Sequence, residues 1–304
     1  MDIYLPIANM SVNALLVILL GGGVGILSGM FGVGGGFLTT PLLILYGIPP
    51  TVAAASATTQ VTGASVSGVL AHWQRDGVDV RMGTLLVAGG LFGSMAGAGV
   101  FAALESAGQM DTVIAIMYVV LLASIGGLMA RDAWAAINAK RTGVALVARK
   151  RRHHPLVANL PMRWRFYASG LYISPIAPLA LGFGVGILTV LLGVGGGFIL
   201  VPAMIYLLGM STRVVVGTSL FQILFVTAMT TLIHALTTQA VDIVLAGLLL
   251  IGSVVGAQLG TRLASRLPPD WLRLGLAAVI LALSLWLALG LGWRPPEIYT
   301  VHPL

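Results

Sequence analysis

The sequence predicts an all-α polytopic membrane protein built from two inverted-topology repeats. Three observations support this prediction: the low content of charged residues, a duplicated glycine motif and the positions of the basic residues. Asp, Glu, Lys and Arg make up 8% of the 304 residues and hydrophobic residues 58%, whereas soluble domains carry roughly 25% charged residues. So few charges cannot cover a water-facing surface, which excludes a soluble enzyme, a nucleic-acid-binding domain and a disordered chain. The sequence contains no Cys, so disulfides, thiolate metal sites and Cys nucleophiles are excluded as well.

The chain repeats itself at an offset of 161 residues. Ten of the 17 positions from Gly25 to Pro41 are identical in the second copy. With one residue inserted, the match continues, with Gln60 on Gln222 and His72 on His234. We therefore divide the chain into an N-terminal transmembrane repeat over 12–130, a basic loop over 131–174 and a C-terminal transmembrane repeat over 175–293.

Each repeat contains five apolar segments. They lie at 12–31, 37–46, 52–72, 82–104 and 112–130 in the first repeat, and at 176–192, 198–208, 214–236, 243–264 and 274–293 in the second. The second segment of each set is too short to span a bilayer at 1.5 Å per residue and follows Gly-Val-Gly-Gly-Gly. We predict a Gly-rich re-entrant or broken helical hairpin, followed by three transmembrane helices, in each repeat. Interrupted short segments at matching positions in two halves point to a transporter binding site.

The basic residues favour opposite orientations for the two repeats. With a hairpin in each repeat and the loop 131–174 in the cytoplasm, 15 of the 16 Lys and Arg residues lie inside and only Arg294 lies outside, as the positive-inside rule requires. The alternative, a kinked continuous helix and parallel repeats, places Arg262, Arg266 and Arg273 outside. We therefore predict a multi-pass membrane protein with the loop 131–174 in the cytoplasm and both termini outside. The N-terminus lacks Lys and Arg, so we expect the first apolar run to be retained. We interpret the basic loop either as a solvated linker or as an amphipathic segment that lies on anionic lipid.

The glycine-rich turns are the predicted substrate-binding elements. Glycine permits the positive φ and close backbone approach of such a turn, and the short helix behind it offers free N–H groups that bind anions. A Walker A or dinucleotide motif is excluded because Phe37 and Phe198 stand where those motifs need other residues. The predicted backbone donors are Gly32, Gly34, Gly35, Gly36, Gly193, Gly195, Gly196 and Gly197. The alternative, close helix packing, is preferred for Gly21, Gly25, Gly29 and for Gly89, Gly93, Gly97.

Polar side chains inside the apolar segments are the second set of candidates, because such groups are costly in hydrocarbon unless they face the protein interior or water. The predicted substrate contacts are Ser56, Thr58, Gln60, Thr218, Ser219 and Gln222. His72 and His234 end equivalent helices and are either structural or possible proton-coupling groups. Asp79 and Asp242 each precede an apolar helix and are predicted N-caps. No metal site, cofactor or nucleophile–base pair is expected.

The two glycine motifs also resemble those of the TauE/SafE sulfite exporter family, also called TSUP. The residues that carry the resemblance are Gly25, Gly29, Gly32, Gly34, Gly35, Gly36, Phe37 and Pro41, and in the second copy Gly186, Gly193, Gly195, Gly196, Gly197, Phe198 and Pro202, with Val190 replacing one glycine. The resemblance implies a polytopic inner-membrane carrier that exports sulfite or a small organosulfonate, with lipid, a small anionic substrate and a possible second copy as its partners.

Three functions remain open on the sequence. The first is a secondary transporter that exports a small sulfur-containing anion by alternating access. The second is an anion channel of the same architecture. The third is a non-transporting membrane subunit or assembly factor that docks through its basic loop. An enzyme is the least favoured class.

Overall fold

The computed structural model describes residues 2–31, 35–74, 76–142, 161, 163–264 and 269–292. The first repeat consists of strands β1 (Asp2–Leu5) and β2 (Met10–Asn13) and helices α1 (Ala14–Phe31), α2 (Gly36–Leu45), α3 (Pro50–Trp73), α4 (Val80–Ser106) and α5 (Met110–Thr142). The second consists of β3 (Trp164–Phe166), β4 (Leu171–Ile173), α6 (Ile176–Leu192), α7 (Gly197–Tyr206), α8 (Thr212–Thr237), α9 (Ile243–Ala264) and α10 (Pro269–Gly292).

The same order of elements therefore occurs twice, and the prediction of an all-α polytopic membrane protein is confirmed. Among the described residues, five helices are long and apolar enough to cross a membrane: Val80–Ser106, Met110–Asn138, Val214–Thr237, Ile243–Gly260 and Leu274–Leu291. Helix α3 has the length, at 24 residues, but not the apolar composition. Its residues 52–58 are all buried, as is Gln60, so neighbouring helices shield Ser56, Thr58 and Gln60 from lipid.

A short antiparallel β-hairpin precedes each repeat's first helix, and the sequence did not predict either one. Leu5 pairs with Met10 in the first hairpin and Phe166 pairs with Leu171 in the second. Strands of three or four residues are too short to show an apolar alternation that a sequence pattern could detect. Leu5 and Phe166 are buried, so each hairpin covers the end of the bundle at which its repeat begins.

Glycines hold the first helix of each repeat against the fourth helix of the other. A Cβ on Gly25 of α1 would lie 2.3 Å from the Ser253 carbonyl oxygen of α9, and one on Gly186 of α6 would lie 2.2 Å from the Gly90 carbonyl oxygen of α4. The packing role predicted for the glycines of α1 and α4 is confirmed, because Cβ atoms at Gly21, Gly25, Gly29, Gly89, Gly93 and Gly97 would meet the facing backbone at 2.0–3.0 Å.

Equivalent helices of the two repeats run antiparallel where they touch. Helices α3 and α8 cross with Thr62 Oγ1 donating to Thr227 Oγ1 at 2.8 Å and Thr59 Oγ1 donating to Thr231 Oγ1 at 3.4 Å, so one residue number rises as the other falls. In α5 and α10, Ser284 Oγ donates to the Val119 carbonyl at 3.1 Å, while Gly126 faces Ile280. Helix α5 continues to Thr142, twelve residues into the predicted loop; residues 143–160 lie outside the described part.

Candidate functional site

The first glycine-rich turn lies between α1 and α2, and α2 returns toward the side where α1 begins. The Asn13 N–H at the start of α1 donates to the Tyr46 hydroxyl just after α2, at 3.3 Å. Gly32 and Gly34, two of the predicted donors, lie outside the described residues. Gly35 is buried, and a Cβ there would lie 3.0 Å from Val24 Cγ1 and 3.7 Å from Gln60 Nε2.

The second turn shows why this segment must be glycine. Gly193, Gly195 and Gly196 have φ angles of 68°, 70° and 77°, in the left-handed region that other residues occupy only at a cost. Space is also lacking, because a Cβ would lie 2.2 Å from the Ala54 carbonyl oxygen at Gly193 and 2.1 Å from Val185 Cγ1 at Gly196. Gly193 and Gly196 therefore exclude a side chain for two independent reasons.

Each turn ends at the N-terminus of a ten-residue helix. The first amides that bond within α2 are Leu38 and Thr39, both to the Gly35 carbonyl, and those of α7 are Ile199 and Leu200, both to Gly196. The N–H groups just before them, on Gly36 and Phe37 and on Gly197 and Phe198, have no acceptor within their own helix. Aligned peptide dipoles add partial positive charge at these two ends.

The two turns meet in the interior of the bundle. The rings of Phe37 and Phe198, the residues after the last glycine of each motif, stack with centroids 4.2 Å apart and planes 4° apart. Both rings are buried, and a Cβ on Gly36 would lie 2.8 Å from the Val194 carbonyl oxygen of the other turn. Predicted donors from the two halves, Gly35 and Gly36 on one side and Gly193, Gly195, Gly196 and Gly197 on the other, are thus brought together.

Side chains from other helices hold the carbonyl groups that end α6. The Tyr118 hydroxyl of α5 donates to the Leu192 carbonyl, and His234 Nε2 of α8 lies 3.0 Å from the Val190 carbonyl. The ring of His234 meets Phe101 edge-on, with centroids 5.0 Å apart. Tyr118 was not among the predicted site residues. A tyrosine inside the apolar segment 112–130 could have indicated such a contact, because a buried hydroxyl group needs a hydrogen-bond partner.

Gln60 and Gln222 are the buried side chains, among those that the structure describes, whose polar atoms lack hydrogen-bond partners. Their exposed fractions are 1% and 0%, and Oε1 of Gln60 and both Oε1 and Nε2 of Gln222 have no hydrogen-bond partner. The following residues, Val61 and Ile223, contact the glycine turns: Cβ atoms on Gly36 and Gly195 would lie 2.7 Å and 3.4 Å from them. Unpaired amides on the two helices that contact the turns are what a polar ligand would satisfy.

The four predicted hydroxyl contacts have hydrogen bonds inside the protein. Ser56 Oγ accepts the Asp242 N–H at 3.1 Å and Thr218 Oγ1 accepts the Asp79 N–H at 2.9 Å, so these equivalent residues anchor equivalent loops. Thr58 donates to the Ala54 carbonyl at 2.8 Å, and Ser219 donates to the Val216 carbonyl at 2.8 Å.

The two aspartates are N-caps, as predicted. Asp79 Oδ1 accepts the Met82 N–H of α4, and Asp242 Oδ1 accepts the Leu245 N–H of α9, both at 3.0 Å. Each also holds the β-hairpin of the other repeat. Asp79 Oδ2 accepts from the N–H (3.0 Å) and the hydroxyl of Ser169, and Asp242 Oδ2 accepts the Ile7 N–H at 3.4 Å.

The two histidines lie far apart. His72 is half-buried at the end of α3, where a Cβ on Gly217 of α8 would lie 2.9 Å from its Cβ. His234 is fully buried near the other end of α8. From residue 217 to residue 234 the helix rises about 25 Å, so the two imidazoles cannot share one ligand.

A family model described as sulfite exporter TauE/SafE matches residues 17–287, nearly the whole chain and both glycine turns. The chain belongs to the sulfite exporter TauE/SafE family. It is therefore a multi-pass membrane transporter.

Relatives of the TauE/SafE protein are named accordingly. It is 28% identical over 272 residues to the probable membrane transporter protein YjnA of Bacillus subtilis, covering 88% of this chain and 97% of that protein. A probable membrane transporter protein of Xylella fastidiosa (strain Temecula1) is 28% identical over 261 residues, covering 85% and 88%. YunE of Bacillus subtilis, also named a probable membrane transporter protein, is 28% identical over 253 residues, covering 81% and 86%. No solved structure matches.

A pair of equivalent hydroxyl residues in this TauE/SafE chain also lies near the glycine turns and was not predicted from the sequence. Ser28 and Thr189 occupy equivalent positions in the two copies of Gly-Ile-Leu-Ser/Thr. A Cβ on Gly35 would lie 3.8 Å from Ser28 Cβ, and a Cβ on Gly196 would lie 3.4 Å from Thr189 Oγ1. Both hydroxyl residues therefore lie beneath a glycine turn and belong to the candidate site.

Proposed function

We propose that this family member exports a small sulfur-containing anion, sulfite or an organosulfonate, by alternating access around its two glycine turns. The observation that carries the proposal is the pair of helix N-termini that meet inside the bundle, together with the unpaired amides of Gln60 and Gln222 on the two helices that contact the turns. An oxyanion supplies acceptors for the free N–H groups, and its charge is favoured at the positive ends of α2 and α7.

Neutral groups would hold the anion. The ten apolar segments contain one charged residue, Arg262, which is exposed near the end of α9, so none of the proposed donors is a fixed cation. Amide and hydroxyl donors give weaker attraction than a guanidinium group does. Weak binding favours release and turnover over tight capture.

Alternating access follows from an inverted arrangement of the repeats. The antiparallel pairs α3–α8 and α5–α10 support it, because equivalent helices of inverted repeats cross a membrane in opposite directions. We propose that the glycine-packed pairs α1–α9 and α4–α6 move as units, since their backbones touch and leave no room to slide. Rocking of these units against each other would open one turn, then the other.

The proposed orientation places the loop 131–174 in the cytoplasm and both termini outside the inner membrane. The nine Lys and Arg residues of this loop, against the single acidic residue Asp132, support the assignment. Labelling of single cysteines introduced at Ser106 and Ser169, both at helix ends or loops, tests it in a chain that has no native Cys. Ser169 should react from the cytoplasmic side only and Ser106 from the outside only.

Uptake of sulfite into proteoliposomes tests the function. Wild type should show saturable flux and uphill exchange, and Gly196→Ala should abolish both, because it adds a methyl group in the second turn. Gly184→Ala is the matched control, since nothing lies within 4 Å of its added methyl group. Flux that neither saturates nor drives uphill exchange would instead identify an anion channel, and absence of any anion flux would refute the proposal.

A further inference from the structure

Gln222 is the most unusual polar group in the part of the chain that the structure describes. Both its amide oxygen and its amide nitrogen are buried without a hydrogen-bond partner, although buried polar groups in proteins nearly always have one. A Cβ on Gly90 of α4 would lie 3.0 Å from Gln222 Nε2, so the amide lies against the backbone of α4. Gln60, its equivalent in the first repeat, adds an unpaired Oε1.

The chemistry of a carboxamide restricts what can satisfy this site. Its NH₂ group donates and its oxygen accepts, and turning the amide over exchanges the two positions without removing either requirement. A ligand that carries only acceptors, such as the sulfite dianion or an alkylsulfonate, pairs with NH₂ and sets its oxygens against the amide oxygen. A ligand that carries oxygen acceptors and one O–H or N–H group pairs with both.

We infer that the transported species carries its own hydrogen-bond donor: hydrogen sulfite in preference to the sulfite dianion, or a hydroxyl- or amino-substituted sulfonate in preference to an alkylsulfonate. This inference rests on the proposed function. It adds that a proton crosses the membrane as part of hydrogen sulfite when that is the substrate, so no protein group must carry it.

The titratable residues around the site are consistent with a proton that is carried by the substrate and not by the protein. The titratable side chains that reach the second turn are Tyr118 of α5 and His234 of α8, and each interacts with a carbonyl at the end of α6. Asp79 and Asp242 lie in the loops before α4 and α9 and are engaged as N-caps. In the apolar segments of α1–α4 and α6–α9, Arg262 near the end of α9 is the one lysine, arginine or glutamate, and its side chain is exposed.

A matched pair of inhibitors provides the first test. Ethanesulfonate and 2-hydroxyethanesulfonate differ by one hydroxyl group, and each competes with sulfite for entry into proteoliposomes. One neutral hydrogen bond changes affinity by about twofold to tenfold, so the hydroxylated compound should inhibit at a concentration lower by that factor. Equal inhibition by the two compounds in wild type would overturn the inference.

Variants locate the recognition. Gln222→Met keeps the length of the side chain but removes donor and acceptor, and should make the two inhibitors equal. Gln74→Met, an exposed glutamine at the end of α3, is the control and should keep the wild-type ratio. If Gln222→Met does not fold, Gln60→Met takes its place. A wild-type ratio in a folded variant at both positions would place donor recognition elsewhere and overturn the inference.

Sulfite itself provides an independent readout. The KM for total sulfite should rise as pH passes above its second dissociation, in proportion to the loss of hydrogen sulfite, and a KM that follows the dianion instead would overturn the inference. These outcomes are distinct from failure of the proposed function. A protein that transports sulfite with the opposite preference keeps its function and loses only the donor requirement, whereas a protein that transports no sulfite or sulfonate loses both.

Discussion

Replacing Gly196 by alanine is the most direct test of the second glycine turn. At φ 77° an alanine costs roughly 1–2 kcal/mol of backbone strain. Its methyl group would also lie 2.1 Å from Val185 Cγ1, and relieving such overpacking costs about 1–3 kcal/mol. We therefore expect Gly196→Ala to lower the free energy of unfolding by about 2–5 kcal/mol, the sum of the two.

Unfolding in detergent, followed by thermal and denaturant titration, measures this loss. Gly184→Ala is the control on α6, where a methyl group meets nothing within 4 Å, and its stability should stay within about 0.5 kcal/mol of wild type. Because both substitutions add the same atoms to the same part of the chain, their difference isolates the geometry of the turn. Equal stabilities for the two variants would refute the argument that this turn admits only glycine.

Three further predictions test the contacts around the site. Tyr118→Phe leaves a buried carbonyl of α6 unpaired and should lower the free energy of unfolding by about 1–3 kcal/mol in the same titration. Tyr172→Phe, at an exposed residue, is the control and should change this free energy little. Equal losses of stability in the two variants would contradict the role of Tyr118 in capping α6. Asp79→Ala should lower the free energy of unfolding more than Asp242→Ala does. Asp79 accepts three hydrogen bonds, whereas Asp242 accepts two, of which the one from the Ile7 N–H is 3.4 Å long. The reverse order of stabilities would contradict this explanation. His234→Gln should retain pH-gradient-dependent uptake if the proton crosses on the substrate, and loss of that dependence with sulfite transport intact would assign proton coupling to the histidine.

The glycine turns were predictable because their requirement is local. The positive φ angles of the second turn and the missing space at both turns act on single positions, and the two copies of the motif identify these positions without any knowledge of the fold. The N-cap roles of Asp79 and Asp242 were predictable for the same reason, since each aspartate bonds the N–H three residues ahead.

The hydroxyl residues of α3 and α8 were not predictable in this way. Ser56 and Thr218 were grouped with Gln60 and Gln222 because all four recur in polar stretches of apolar helices. In the structure the hydroxyls bond to backbone 186 and 139 residues away, whereas the glutamine amides remain unpaired. Composition and spacing cannot separate these cases, because the difference depends on which distant loop arrives beside each helix.

Amino-acid composition and self-similarity by themselves determined that lipid surrounds this protein, that its architecture occurs twice, and that each copy is interrupted at a glycine turn. Those properties follow from the transfer of side chains out of water and from the conformational freedom of one residue type. Only the tertiary structure decided that the two turns meet at Phe37 and Phe198, that Tyr118 and His234 hold the end of α6, and that the amides of Gln60 and Gln222 are left with unpaired atoms. Each of these depends on the relative placement of helices, because a hydrogen bond exists only when donor and acceptor lie about 3 Å apart.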